Sequence, residues 1–151
     1  MTISMSGDLD RFVAAQAGTF EGAIAELRAG HKTGHWIWYV FPQLAGLGRS
    51  WTSTYFGIHD LDEARAYLAH PLLGARLRTA FEALITVDRR SAEAILGPVD
   101  ARKVRSSATL FLRAAPDEAI WQHVLDRFYA GAADSRTDEL LALGDQDDRP
   151  S

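Results

Sequence analysis

Apolar residues recur at three- and four-residue intervals along nearly the whole chain, the spacing of one buried helix face. From Leu9 to Ala17 this pattern sets Phe12 and Val13 on one side. Thr19 stands where a cap would open a helix running to Ala29, with Ile24 and Leu27 inward and Gly30 as the stop. Asp60-Leu61-Asp62-Glu63 has the form of a capping box. The helix it opens turns Ala64, Tyr67 and Leu68 to the core and ends at His70-Pro71, and Pro71 suits the first turn of the next. That next helix carries Leu73, Leu77, Phe81, Leu84 and Ile85 as an amphipathic stripe. Ser91 caps a short turn through Leu96, broken by Gly97-Pro98. Val104, Thr109, Leu110 and Phe111 mark a helix ending before Pro116. Asp117 is placed to cap another holding Ile120, Trp121, Val124, Leu125 and Phe128, and Ser135 or Thr137 starts a last short one.

Residues 36–41 (WIWYVF) fit a buried strand or a buried helix equally well. A lone strand has nothing to pair with, so the stretch reads as helix, ended by Pro42. The expectation is an all-α fold: a single compact domain of about eight short helices over residues 9–143. Residues 1–8 are expected to form a flexible N-terminus and residues 144–151 a flexible C-terminal tail. A length of 151 residues suits one domain with a sizeable core.

Composition narrows the function classes. The net charge of -4 argues against a nucleic-acid polymer as partner, since phosphate backbones are met by clustered basic surface. Without cysteine there is no disulfide, no thiolate chemistry and no cysteine-bound metal. No apolar run is long enough for a bilayer, and the start lacks the pattern of a secretory signal, so a cytoplasmic location is expected, with no membrane partner. No cofactor is implied. His31 and His35 have a chelating i, i+4 spacing, but Gly30 and Gly34 flank His31 and no ligand-like partner follows, so no metal site is expected.

The candidate chemistry concentrates in His35 to Gly57. Three of the four tryptophans lie there with Tyr39, Phe41, Tyr55 and Phe56, and polar residues are set among the rings. Aromatics bury large areas, so such density marks a core centre or a pocket wall. On a helix His35, Trp38 and Tyr39 would share one side, with Gln43 just past the end. Gly46-Leu47-Gly48-Arg49-Ser50 offers a tight turn in which Ser50 caps a helix over Trp51 to Phe56 and Arg49 can clamp an anion. The plain alternative is an interhelical turn. Lys103 and Ser107 are helical neighbours that could act as base and nucleophile or hold an anionic ligand together with Ser106, although helical serines more often bond to the preceding turn.

The segments HWIWYVFPQ (35–43), GLGRS (46–50), YFGI (55–58), EARAYLAHP (63–71) and KVRSSATLF (103–111) together resemble the bacterial domain-of-unknown-function 1810 family, over roughly Leu9 to Leu141. The resemblance implies an all-helical fold and no established activity. Ala108 stands where the family usually has methionine, a packing change. Members are often labelled calpastatin. Such an inhibitor would be a disordered, charge-rich chain, and this is not one.

The residues therefore suggest a binder, or an enzyme, acting on a small anionic nucleotide-like metabolite in an aromatic pocket. Trp36 or Trp38 would stack on it, assisted by Tyr39, Gln43 and Tyr55. Arg49, Ser50, Lys103, Ser106 and Ser107 would hold its charge, and His35 would be the catalytic acid or base if there is a reaction. The alternative is an adaptor whose exposed aromatic groove binds a partner protein or a second copy of the chain. A third is that the rings simply make the core.

Overall fold

The structure, a computed structural model, describes residues 9–147. Among these the chain forms ten helices: α1 (Asp10–Gln16), α2 (Phe20–Ala29), α3 (Ile37–Val40), α4 (Trp51–Tyr55), α5 (Leu61–Ala69), α6 (Leu73–Ile85), α7 (Ala92–Leu96), α8 (Pro98–Ala114), α9 (Ile120–Phe128) and α10 (Ser135–Asp147). The described part is all-α. Its sole β feature is an isolated parallel bridge of Leu44 with Ile58, in which Ile58 N–H donates to Gln43 C=O at 2.9 Å and Ala45 N–H to Ile58 C=O at 2.7 Å. No described helix is long and apolar enough to cross a membrane. The tail residues 1–8 and 148–151 lie outside the described residues, and α10 carries the chain as far as Asp147.

Helix α8 is the axis. Gly97 leads into it at φ 86°, and Pro98 occupies its first turn, where the missing N–H costs nothing. It packs against α3, α5, α7, α9 and α10. Along one flank Ala101, Val104, Ala108 and Phe111 are wholly or almost wholly buried. Helices α5 and α6 join through a close approach at Gly74, where a Cβ would lie 2.1 Å from the Leu68 carbonyl oxygen, so no other residue fits.

Local caps follow side-chain chemistry. Ser50, Asp60 and Ser91 each accept the N–H three residues on, as expected, and Gly30 ends α2 in the left-handed region at φ 74°. Other expected caps differ. Thr19 turns its hydroxyl back to the Ala15 carbonyl at 2.7 Å and leaves α2 uncapped. Asp117 does not cap α9, whose first residue follows Ala119. His70, which closes α5, uses Nδ1 to accept the N–H groups of Leu72 and Leu73, at the start of α6.

The aromatic segment is helical for one turn only. Trp36 lies at φ -113°, Phe41 at ψ 74°, and the chain then leaves to pair with Ile58. His35 is therefore outside the helix and does not share a helical face with Trp38 and Tyr39.

Candidate functional site

Residues 31–36 form a loop built around one carboxylate. Glu26, in the last turn of α2, accepts on one oxygen the N–H groups of Thr33 at 2.6 Å and Gly34 at 2.8 Å and the indole N–H of Trp36 at 3.0 Å. Partial burial pushes the Glu26 carboxyl up. The backbone donors Gly34 and Thr33, helped by the Trp36 indole, outweigh that and hold its pKa at about 2. The loop is tied to α7 by Lys32 N–H donating to the Ile95 carbonyl at 2.8 Å.

From this loop Lys32 reaches α8. Its Nζ lies 2.7 Å from Asp100 Oδ2, also donates to the Gly34 carbonyl, and sits 5.0 Å from the centroid of the Trp36 ring. Lys103, one turn further along α8, meets the other oxygen of Asp100 at 3.3 Å and stands 3.6 Å over the Trp38 ring. The Lys32 and Lys103 side chains are 6% and 19% exposed and that of Asp100 18%. Two ammonium groups thus share one carboxylate between two indoles, leaving one positive charge uncompensated by Asp100. An ammonium over an indole face gains up to about 2 kcal/mol when water is largely excluded.

The aromatic segment and Lys103 therefore meet, and not every expected site residue meets with them. Trp36 is buried, with its N–H spent on Glu26, while Trp38 is half-buried under Lys103. His35 is exposed beside Trp36. Tyr39 is half-buried against Phe56, ring centroids 5.5 Å apart, and Gln43 is buried at the bridge to Ile58. Ser50 and Tyr55 belong to a second neighbourhood, and Arg49 directly precedes Ser50 in the chain. Ser50 caps α4, and Arg11 of α1 donates to the Tyr55 carbonyl at 2.7 Å. Tyr55 stacks on Trp51 at 4.9 Å, and both rings face solvent. Of the serines, Ser106 donates to the Arg102 carbonyl at 3.1 Å, the bond a helical serine usually makes. The Ser107 hydroxyl is fully buried without a hydrogen-bond partner among the described residues.

Sequence reasoning missed Asp100, Glu26 and Glu63. Asp100 could have been found from its i, i+3 spacing to Lys103. Nothing local marks Glu26, whose partners come seven to ten residues later. Glu63 was expected to serve the helix start alone. It is wholly buried, and Arg11 Nη2 lies 3.2 Å from its Oε1. Three surface clefts lie elsewhere: beside His59 and α10, beside Ile85 and His123, and beside Phe20 and Arg28. No group of three or more His, Asp or Glu among the described residues could hold a metal ion.

A helical domain with this cluster defines a class by architecture. The chain belongs to the family described as "Protein of unknown function (DUF1810)", whose sequence profile matches residues 6–141. It is similar to the conserved hypothetical protein Rv1873 from Mycobacterium tuberculosis, a crystal structure that is 49% identical with a TM-score of 0.88. The match covers 89% of this chain and 96% of that one. No curated protein matches the chain.

Proposed function

We propose that the protein binds a small, flat, anionic metabolite of nucleotide type beside Trp38. The observation that carries this reading is the convergence of both lysines of the chain on Asp100 and two indole rings. An ammonium has three N–H donors, and Asp100 accepts one of those of Lys103, so others remain for a phosphate or carboxylate. The part of the Trp38 ring left uncovered offers a stacking face. His35, exposed and next to Trp36 in the chain, is the proposed group for proton transfer if the bound molecule reacts. Ser50 and Tyr55 drop out, because Ser50 is spent on capping α4 and Tyr55 lies against Trp51 and next to Arg11 of α1.

Titration of tryptophan fluorescence with AMP, ADP, NAD and ADP-ribose tests the reading, with calorimetry as a second readout. At least one of these ligands is expected to saturate the signal, and Lys103→Met to weaken its binding at least tenfold. No response to any of the four at millimolar concentration overturns it.

A second reading, a docking surface for a protein partner, rests on Trp51, a residue 73% exposed with its ring stacked on Tyr55. Large rings held parallel in water are characteristic of interface anchors.

A further inference from the structure

His59 lies just before α5 and lines a cleft of about 480 Å3 between that helix and α10. Leu44, Leu61 and Leu140 give the cleft an apolar wall, and Asp62 and Arg65 stand at its polar side. Behind it is the buried Glu63. One oxygen of this carboxylate accepts the main-chain N–H of His59 at 3.1 Å and faces Arg11 at 3.2 Å, while the other lies 3.3 Å from His59 Nδ1. Asp60 fixes the same residue from the chain side by accepting its N–H at 2.8 Å. A carboxylate at Nδ1 keeps the imidazole proton there and leaves the Nε2 lone pair as an acceptor on the far side of the ring. The ring itself is 60% exposed, whereas its carboxylate is 0% exposed, the combination of an accessible base and an anchored orienter.

We propose that this cleft is a hydrolytic site for small uncharged esters with an apolar acyl or aryl group. In it His59 is the general base and Glu63 its positioning residue. No lining residue carries a hydroxyl or thiol, so the attacking group is water. Nε2 takes a proton from water as the oxygen bonds to the carbonyl carbon. The negative charge that develops on the carbonyl oxygen falls to Arg65. This guanidinium is held at the site by donating Nε–H to the Ala114 carbonyl at 3.2 Å, and its 3.3 Å pairing with the exposed Asp62 is easily exchanged in water. Collapse breaks the C–O bond to the leaving oxygen, which receives the proton from His59. A carboxylic acid and an alcohol leave, and the imidazole is neutral again. The carboxylates of Asp60 and Asp62 on the lining repel anions, which sets this substrate class apart from the anionic ligand proposed beside Trp38.

Release of p-nitrophenol from p-nitrophenyl acetate tests the site. The unmodified protein is expected to show saturable hydrolysis. His59→Gln should lower kcat/KM at least tenfold, and Arg65→Gln should lower kcat. His123→Gln, in a different cleft, should change neither. Both His59 and Arg65 are exposed, so these variants should keep the helical circular dichroism of the parent. Glu63→Gln, where it folds, should lower kcat with KM unchanged, a split that mere structural damage does not produce. Hydrolysis no faster than in buffer, or an equal kcat/KM in His59→Gln and the unmodified protein, overturns the proposal.

Discussion

Glu26 gathers two backbone N–H groups and an indole N–H on a single oxygen, so its charge is worth more to the folded chain than to the unfolded one. Its pKa falls from the ordinary 4.5 to about 2, so the stabilisation is complete above about pH 4.5 and is lost as pH drops toward 2. Replacing Glu26 by Gln should lower the unfolding free energy by about 1–2 kcal/mol at pH 7. Urea unfolding should show a smaller gap between the two proteins at pH 3 than at pH 7. The hydroxyl residues of α8 teach a related lesson. Ser106 and Thr109 donate to carbonyls one turn back, at 3.1 and 2.8 Å, and Ser107 does not. All three look alike in the sequence, because the choice is made by what packs on each side of the helix.

At the level of elements, α1 is fastened to the corner between α4 and α5 by Arg11. It donates to the carbonyls of Tyr55 at 2.7 Å and Gly57 at 2.9 Å and to the buried Glu63. Arg11→Met removes the guanidinium from a carboxylate that water cannot reach, and should cost about 3–5 kcal/mol. Thermal and urea unfolding measure this, and Glu63→Gln added to Arg11→Met should recover part of the loss. The same corner explains which elements were legible in advance. The helices themselves were, since apolar spacing along one strip survives any arrangement of neighbours. So were the Ser50, Asp60 and Ser91 caps, which need only the N–H three residues on. The aromatic run was legible as a helix but its extent was not, because distant groups set its ends: Trp36 is anchored by Glu26, and Gln43 to Ala45 turn away to meet Ile58. In the candidate site, Lys103 and Trp38 were foreseen as neighbours. Asp100, which joins Lys103 to Lys32, was not.

Across the whole molecule the rings form a connected path. It runs from Trp36 through Phe41, Phe81, Trp121, Phe111, Tyr67, Phe12 and Phe56 to Tyr55 and the exposed Trp51, with neighbouring centroids between 4.7 and 6.2 Å apart. Most of the aromatic density is thus core, and its outer end is the one place among the described residues where two rings lie in water. Trp121 sits mid-path, fully buried, with its indole N–H donated to the Ala115 carbonyl at 3.2 Å. Trp121→Ala should cost about 3–5 kcal/mol in urea unfolding, from lost burial and the hole left behind. The lysine pair has a consequence of a different kind. The chain has fourteen arginines, and its two primary-amine side chains stand on either side of Asp100. Acylating labels, imidates and short bifunctional linkers aimed at amines are then, apart from the chain's own amino end, reagents addressed to a single spot.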